Sequence, residues 1–518
     1  MINTLRAPLL AAFLAGGCSP CLAAGADDPL PRIYASADNF LVDTFGRVRI
    51  FHGFNDVGEA KGTGETPGGP QYQPSIAMNA DVRVKLEEWG FNVLRLPMMW
   101  SGVSTADGVY DEAYLETMAG VVADLAAQNV YSLLDMHQDV LSSTLGEYDG
   151  APQWVTNRTV RRHEYPWPLS EPLSAWGLGY VTEATSQSFQ EIYDDTHGGL
   201  DAWGAFWAKA AAAVGAQPGV LGYELINEPW CGDIYARPEL MTPGAAGSLN
   251  LQPAYASVAA AIRAVDDETL IFYEPVTWGM IFPGDGGGGD HRDAPAAGSG
   301  FSEVPGGPAY ANRSALSYHY YCWWLSQGDE PMPALEKKTC DGLFGPKVFE
   351  TVAHDIKRLG GASMLTEFGA MVPNATLPRS TNTEEIRAVT GLADAHLQSW
   401  THWDINDDVY RKATNEWNMD AVKAFCRTYA QAVAGRPTAM AFDPSTAAFS
   451  LAFDADASLG APTEVAAPAL LYPDGFDVSL SGDAGLAWEM DSARPGIVLV
   501  TAAASGKATV TITAKKAR

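Results

Sequence analysis

Two glutamates, Glu228 and Glu367, stand near the ends of short apolar stretches of the sequence. Glu228 lies towards the end of Val220–Trp230, and Glu367 lies in Ser363–Gly369. A carboxylate at the tip of a buried strand must reach a crevice or a charged partner, because burying it alone is costly. Two such carboxylates are typical of paired acid/base chemistry, and cleavage of a glycosidic bond with retention needs them about 5 Å apart.

The surroundings of the two glutamates predict different roles for them. Glu228 follows Asn227 and is backed by an apolar strand, which favours a raised pKa and the role of acid/base, whereas Glu367 is expected to be the ionised nucleophile. A buried Arg95 could be balanced by Glu224, Glu228 or Glu367. We expect it near Glu367, where its charge would lower the pKa of that carboxyl, with Glu224 as barrel scaffold. The plainer alternative for either Glu228 or Glu367 is a salt-bridged glutamate at a strand end.

Apolar stretches alternate with stretches of helical spacing eight times, with a weak fifth helix, which is what a (β/α)8 barrel (TIM barrel) of the α/β class requires. Active sites of this fold lie at the carboxyl ends of the strands, where Glu228 and Glu367 fall on strands four and seven. The predicted strands are Arg49–Asp56, Asn92–Met98, Val130–His137, Val220–Glu228, Leu270–Pro275, Ser314–Tyr321, Ser363–Gly369 and His396–Asp404. The predicted helices are Asp81–Trp89, Glu112–Gln128, Asp201–Val214, Ala254–Val265, Phe349–Leu359, Glu384–Ala395 and Met419–Ala434.

After about Arg436 the pattern changes to short alternating strands separated by glycine, proline and aspartate, which predicts a small all-β C-terminal sandwich domain. We therefore divide the chain into an N-terminal segment of residues 1–26, a barrel of residues 27–436 and a C-terminal domain of residues 437–518. The small domain shows no cluster of acids or histidines, so it either stabilises the barrel or docks carbohydrate or lipid. Its predicted strands are Phe449–Phe453, Ala469–Tyr472, Phe476–Leu480, Gly496–Val500 and Ala508–Thr513.

The composition excludes several classes of partner. Hydrophobic residues make up 47% of the chain and charged residues 18%, which is globular and rich in core material. With 62 acidic and 33 basic residues the net charge is −29, and no basic patch stands out. Nucleic acid is excluded as a partner, because phosphate binding draws on lysine and arginine. The same charge disfavours electrostatic docking on anionic membranes, so contact with lipid would have to be apolar.

The N-terminus predicts export. Arg6, an apolar run from Ala7 to about Gly17 and small residues before Asp27 follow the plan of a secretory signal. Residues 14–18 partly match a lipoprotein box, so the alternative to a secreted protein is one anchored through Cys18. Of the remaining thiols we expect Cys322 and Cys340 to pair and to close one loop, although buried free thiols are an open alternative. The other two are Cys231 and Cys426.

Taken together, the residues at the predicted strand ends resemble the site of glycoside hydrolase family 5. The resemblance covers roughly Arg49 to Ala434, and as a set it is specific, whereas an Asn-Glu-Pro motif alone would be weak. Its elements are Asn227–Pro229 on strand four, Glu367–Gly369 on strand seven, Arg95 on strand two, His137 on strand three, His319–Tyr321 on strand six and Trp403 on strand eight.

Within that family the chain is most similar to endoglycoceramidases, which cut the whole glycan from the ceramide of glycosphingolipids. The similarity lies in Leu134–Asp139, in Trp176–Gln190, in the apolar loop Thr277–Pro283 and in the trailing β-domain. It implies that five residues hold the sugar nearest the scissile bond: Lys61, His137, Asp139, Asn227 and Trp403. The ordinary alternatives are a solvated surface side chain for Lys61, a loop cap for Asp139 and packing at the top of the barrel for Trp403. For His137 and His319 a role in orienting neighbouring residues is also open.

The residues themselves support some of these roles. Asn227 can donate to a sugar 2-hydroxyl, Trp403 offers a flat face to a pyranose, and Tyr321 can hydrogen-bond Glu367 and keep it ionised. The loop residues Trp278, Met280, Ile281 and Phe282 either form an apolar lip for the lipid or fold back as a small core.

The residues therefore predict a retaining glycosidase that needs no cofactor and no metal. The resemblance implies that it acts on glycosphingolipids, with transient contact with lipid surfaces or micelles. No protein partner is implied. The alternatives are a β-glucosidase or endoglucanase on soluble glycans and, from another class, a carbohydrate- or lipid-binding protein without catalysis.

Overall fold

The three-dimensional structure is a computed structural model of the 518-residue chain. It describes residues 30–61, 71–146, 149–277, 280, 298–322, 334–369, 379–406 and 409–516. The predicted signal segment with Cys18 and the loop residues Trp278, Ile281 and Phe282 lie outside these described residues.

Eight parallel strands close into the predicted barrel. They are β1 (His52–Asn55), β2 (Val93–Pro97), β3 (Tyr131–Asp135), β4 (Val220–Glu224), β5 (Leu270–Tyr273), β6 (Ser314–Tyr320), β7 (Ala362–Phe368) and β8 (Ser399–His402). Each strand pairs with the next one in the chain, and the ring closes where β8 pairs with β1 through Trp400 and His52.

The helices that follow the strands pack outside the barrel. Most of them overlap the predicted helices, but the helix Glu183–Tyr193 was not predicted. They are α1 (Ala80–Glu88), α2 (Glu112–Ala126), α3 (Glu183–Tyr193), α4 (Gly199–Val214), α5 (Gln252–Arg263), α6 (Gly345–Leu359), α7 (Arg379–Ala395) and α8 (Met419–Phe425). Side-chain caps start several of them: Asn79 accepts the Asp81 N–H at α1, and Asp111 accepts the Tyr114 N–H at α2. The predicted weak fifth helix is the short 3-10 helix Pro308–Arg313.

The barrel interior is apolar at one level and charged at the next. Val93 and Leu133 belong to an apolar cluster inside the barrel. Two residues further along the same strands, Arg95 and Asp135 are each 1% exposed. Since strand side chains alternate between faces, both pairs point inward and the charged pair lies nearer the carboxyl ends. The apolar layer thus supports a layer of charged side chains at the catalytic end.

The C-terminal domain contains two antiparallel sheets, as predicted, but the chain enters them differently. A seven-stranded sheet joins Ile33–Ala35, Leu41–Asp43 and Val48–Arg49 from the N-terminus to Tyr429–Val433, Thr463–Ala466, Ile497–Ala502 and Leu486–Met490. The four-stranded sheet contains Gly435–Asp443, Ala448–Ala455, Gly506–Ala514 and Phe476–Gly482. The sheets therefore draw on residues on both sides of the predicted boundary at 436.

Two predicted elements are wrong in this region. The helix expected from Met419 to Ala434 ends at Phe425, and Tyr429–Val433 is a strand. That strand pairs with Val48–Arg49 and with Thr463–Ala466, and these distant partners override the helical preference of its alanines. The strand expected at Ala469–Tyr472 is a turn.

The predicted disulfide between Cys322 and Cys340 is confirmed, and Cys231 and Cys426 are buried free thiols. Within the described part of the chain, none of the helices is long and apolar enough to cross a membrane.

Candidate active site

The two predicted glutamates meet at the carboxyl end of the barrel. One carboxyl oxygen of Glu228 and one of Glu367 lie within 4.8 Å of each other, together with a ring nitrogen of His319. Glu367 is on β7, whereas Glu228 lies four residues beyond the last residue of β4. Both side chains are buried, with 5% and 6% of the residue exposed. This spacing fits the separation of about 5 Å found in retaining glycosidases and leaves no room for the water of an inverting one.

Arg95 connects the two glutamates to the charged layer beneath them. Its Nε donates to Glu224 Oε2 at 2.5 Å, and its Nη1 donates to Glu367 Oε2 at 3.2 Å. Its Nη2 donates to Asn227 Oδ1 at 2.9 Å and lies 3.1 Å from Asp135 Oδ2. The predicted contact between Arg95 and Glu367 is thus confirmed, but the shorter contact with Glu224 shows that the guanidinium is shared.

The carboxyl of Glu367 is held from both sides. Oε2 accepts from Arg95, and Oε1 accepts from the Tyr321 hydroxyl at 2.5 Å, as predicted for Tyr321. The expected lowered pKa of Glu367 is wrong. Burial raises this pKa above the ordinary value of a glutamate, and the opposing effects of His319 and Arg95 do not cancel it. Desolvation of a nearly inaccessible carboxyl outweighs one shared cation.

Glu228 has the environment of a general acid. Burial, followed by the charge of Asp139, raises its pKa to about 8, against the lowering effects of His137 and Arg95. Its Oε1 lies 3.0 Å from His319 Nδ1. Burial also lowers the pKa of His319 to about 4, so this imidazole is neutral at pH 7 and adds no positive charge next to Glu228. A protonated Glu228 can therefore persist at neutral pH.

His137 and Trp403 form one wall of the site. Their rings stack with centroids 4.8 Å apart and planes 8° from parallel, so one face of the indole is covered. His137 Nδ1 lies 2.8 Å from Asp135 Oδ2, and Nε2 lies 3.6 Å from Asp139 Oδ2. Burial opposes the charged form of His137, but hydrogen bonds to Asp135 and Asp139 raise its pKa well above the ordinary value. The side chain of Asp139 is 27% exposed and remains accessible to a ligand.

Asn227 is fixed by the same network. Its Oδ1 accepts from Arg95 and its Nδ2 donates to the backbone oxygen of Gln138 at 3.0 Å, which leaves one N–H for a sugar hydroxyl. Lys61 is the last residue of the strand Gly58–Lys61, and its side chain lies outside the described part of the structure. The sugar contacts of Lys61, His137, Asp139, Asn227 and Trp403 stay predictions.

Two groups of three side chains in this region have potential metal-ligand atoms within 4.8 Å of one another. The first is Glu224, Glu274 and His319, and the second is Glu228, His319 and Glu367. Hydrogen bonds from Arg95 and from Tyr321 already engage Glu224 and Glu367. The prediction that the reaction needs no metal stays a prediction.

The sequence model of one enzyme family, described as "Cellulase (glycosyl hydrolase family 5)", matches residues 59–409. This chain belongs to glycoside hydrolase family 5. A second model, "Glycoside hydrolase family 5 C-terminal domain", matches residues 427–513 and agrees with the sheets that begin at Tyr429. Membership of the family agrees with the closed barrel and with the two buried glutamates at its carboxyl end.

The chain is also similar over most of its length to named proteins. It is 35% identical over 479 residues to "Endoglycoceramidase" of Cyanea nozakii, covering 87% of each chain. Its structure is similar to "Endo-glycoceramidase II from Rhodococcus sp.: Ganglioside GM3 Complex", with a TM-score of 0.73 and 26% identity. The match covers 92% of this chain and 99% of the Rhodococcus chain. The "Lactosyl-Enzyme Intermediate" of the same Rhodococcus protein gives a TM-score of 0.72, 25% identity and coverage of 92% and 100%.

Sequence reasoning missed two acids of this family 5 site, of which Glu274 is buried and Asp149 is half-buried. Glu274 follows β5, and its Oε2 accepts the backbone N–H of Glu228 at 2.8 Å. A signal was present, because Tyr-Glu-Pro at 273–275 repeats the pattern of an apolar strand, a glutamate and a proline that marks Glu228. The second acid is Asp149, whose pKa is raised to about 7, mainly by burial. The charge of His137 lowers this pKa and the charge of Asp139 raises it further. Asp149 lies in a long loop after β3 and has no strand pattern to identify it.

The raised pKa values predict the pH dependence of this family 5 enzyme. If Glu228 is the acid and Glu367 the nucleophile, as the sequence predicts, the reactive form needs a proton on Glu228 and none on Glu367. As pH rises through about 8, Glu228 loses its proton and kcat/KM should fall. As pH falls, Glu367 takes up a proton, and because its pKa is raised this loss should begin at a higher pH than for an ordinary glutamate. A kcat/KM profile between pH 4 and 10 measures both limbs; a rate that stays flat to pH 9.5 would contradict the assignment of Glu228.

Proposed function

We propose that this protein is an endoglycoceramidase, a retaining glycosidase that cleaves the bond between the oligosaccharide and the ceramide of glycosphingolipids. The geometry that supports this reaction is the pair Glu228 and Glu367, with carboxyl oxygens within 4.8 Å at the carboxyl end of the barrel. The endoglycoceramidase relatives, which match along nearly the full length of both chains, support the choice of substrate.

In the first step, Glu228 acts as the acid. It transfers its proton to the oxygen that links the sugar to ceramide, while Glu367 Oε1 or Oε2 attacks the anomeric carbon. The bond from that carbon to the ceramide oxygen breaks, ceramide leaves with the proton, and a glycosyl ester of Glu367 forms. Tyr321 and Arg95 hold the carboxyl of Glu367 in a fixed orientation for this attack.

In the second step, the same residue acts as the base. Glu228, now ionised, takes a proton from a water molecule, whose oxygen attacks the anomeric carbon and displaces Glu367. The released glycan has the same anomeric configuration as the substrate, and Glu228 is protonated again. The pKa of about 8 suits this cycle, because Glu228 must give and take a proton near neutral pH.

Lactosylceramide tests the proposal directly. We expect intact lactose and ceramide as the only products, detected by mass spectrometry, and the β-anomer of lactose as the first product by NMR. Release of glucose or galactose alone would favour a β-glucosidase or an exo-acting enzyme, and turnover of cello-oligosaccharides without turnover of the glycolipid would favour an endoglucanase. Absence of turnover on all of these substrates would support a binding protein and contradict the proposal.

We also propose that the enzyme reaches its substrate through brief apolar contact with lipid surfaces. The amphiphilic substrate and the net charge of −29 support contact of this kind over electrostatic attraction. The rate on lactosylceramide in neutral vesicles should therefore change little between low and high salt. A steep loss with added salt would contradict apolar contact.

The same proposal includes export from the cell, with cleavage near residue 26. The signal-like sequence of residues 1–26 and the disulfide between Cys322 and Cys340 support it, because disulfides persist in oxidising compartments. Sequencing the N-terminus of the protein recovered outside the producing cells tests it; an intact Met1, or a lipid on Cys18, would contradict simple secretion.

A further inference from the structure

We propose that Glu274 is a positioning residue for Glu228: a buried carboxyl that holds the acid/base in place for proton transfer. The proposal rests on the acid/base role of Glu228 in the proposed function. Glu274 directly follows β5, the strand next to β4 in the barrel, and is 2% exposed. It is not one of the two carboxyls to which the proposed function gives a chemical step.

The first observation concerns the backbone of Glu228. This residue has a φ of +40°, in the left-handed region that residues other than glycine rarely adopt. Such a conformation persists only where the surroundings hold it. Here Glu274 Oε2 accepts the Glu228 N–H at 2.8 Å, and the Glu228 carbonyl accepts from Gln138 Nε2 at 3.0 Å and from Thr277 Oγ1 at 3.1 Å. Side chains therefore hold both polar groups of the Glu228 backbone.

The second observation concerns the side chain of Glu228. Its Oε1 lies 3.0 Å from His319 Nδ1, and the same nitrogen lies 3.4 Å from Glu274 Oε1. Glu274 thus acts on Glu228 at two points, directly on its backbone N–H and through His319 on its carboxyl. A carboxyl that only filled space behind β5 would need neither contact.

The third observation concerns charge. The charged and titratable groups that face Glu274 are Glu224 at the end of β4, Glu228 beyond it, His319 on β6 and Arg95 on β2. The Tyr255 hydroxyl of α5 donates to the backbone oxygen of Glu274. Burial, then the charges of Glu224 and Glu228, raise the pKa of Glu274 well above the ordinary value, against the effects of Arg95 and of the Glu228 N–H. This shift favours the neutral form of Glu274.

A neutral acceptor has a specific advantage at this position. Glu228 must alternate between acid and carboxylate during each cycle. An ionised group bonded to its N–H would favour the protonated form so strongly that the carboxylate needed for the second step would be scarce. A protonated Glu274 keeps the hydrogen bond to the backbone without that penalty.

Substitutions of Glu274 should therefore affect acid catalysis more than folding. Glu274→Gln keeps a neutral acceptor of the same size and should retain kcat/KM within about threefold, with an unchanged alkaline limb. Glu274→Leu removes the acceptor, and Glu274→Asp withdraws it by one methylene. Both should lower kcat/KM by about 10- to 100-fold on substrates with a poor leaving group, since general acid catalysis contributes about 10²- to 10⁴-fold.

Leaving groups separate positioning from a structural effect. The dinitrophenolate of a dinitrophenyl β-lactoside leaves without needing a proton. The kcat/KM for this substrate should therefore fall less than fivefold in Glu274→Leu and Glu274→Asp, while that for an alkyl β-lactoside shows the full loss. Tyr273→Phe is the matched control, because Tyr273 is buried on the same strand but faces a cluster outside the barrel with Phe301, and it should leave both substrates unchanged.

Equal losses on the two lactosides would overturn the proposal, and so would a Glu274→Gln variant as impaired as Glu274→Leu, or a Glu274→Asp variant with normal rates. If Glu274→Leu does not fold, the comparison of Glu274→Gln with Glu274→Asp decides. These soluble substrates keep the test apart from the substrate assignment: turnover of the lactosides without cleavage of lactosylceramide would contradict the proposed substrate and leave the role of Glu274 testable.

Discussion

Glu367→Gln should lose nearly all turnover, with kcat lowered on the order of 10⁵-fold or more, as happens when an enzyme loses its nucleophile. The amide cannot form the ester with the anomeric carbon, and neither Arg95 nor Tyr321 can supply a substitute. The loss should be equally severe on lactosylceramide, on an alkyl lactoside and on a dinitrophenyl lactoside, since every substrate needs the same attack. Initial rates on the three substrates, measured beside the unmodified enzyme, give the comparison.

Glu228→Gln is the matched control for this result. It should lose about 10²- to 10⁴-fold in kcat/KM on the glycolipid but much less on the dinitrophenyl lactoside, because that leaving group needs no acid. Its stability should also differ from that of the unmodified enzyme. The folded-state pKa of about 8 is above that of an ordinary glutamate, so the contribution of this proton to stability is lost as pH rises from the ordinary value to about 8, and glutamine removes this decline. The assignment of Glu228 as acid/base and Glu367 as nucleophile is contradicted if the rate losses of Glu228→Gln and Glu367→Gln depend on the leaving group in the same way.

Replacing Arg95 by methionine should be the most destabilising change in the barrel. Arg95 is 1% exposed and bonds Glu224, Asp135 and Glu367, so its removal leaves buried carboxylates without their cation. Breaking a buried ion pair from one side costs about 3–5 kcal/mol. Denaturant unfolding at pH 7 measures this loss. In the enzyme that still folds, the acidic limb of the kcat/KM profile should shift to higher pH. The reason is that Arg95 lowers the pKa of Glu367, and this effect is lost in the variant.

Arg49→Met provides the control for Arg95→Met. Arg49 is also buried, and it donates to the backbone oxygen of Gln431 at 2.9 Å and lies 3.4 Å from Asp43 Oδ2, in the sheet of the C-terminal domain. Its loss should reduce stability but leave kcat and the acidic limb of the folded enzyme unchanged. An Arg95→Met enzyme as stable as the unmodified protein would contradict the central place of Arg95 in the charged layer.

Much of the fold follows from local pattern. The eight barrel strands and most of the helices occur within a few residues of the predicted positions, because each carries its own apolar periodicity. The predicted strands extend too far at their carboxyl ends. β4 ends at Glu224, since the chain leaves the ladder there to bring Glu228 into the left-handed conformation at φ +40°. Extended apolar sequence and a strained functional turn look alike without the neighbouring strands.

The sequence alone predicted the two catalytic candidates, the fold class and, with buried free thiols as the alternative, the pairing of Cys322 with Cys340. Each of these depends on residue type at a position that local pattern identifies. Only the tertiary structure decided which groups share Arg95, why the pKa of Glu367 is raised rather than lowered, and that Glu274 holds Glu228. It also decided that Val48–Arg49 pairs with Tyr429–Val433 in one sheet. These facts depend on burial and on pairing between residues far apart in the chain, and the free energy of such contacts is set by the packed neighbours and not by the sequence on either side.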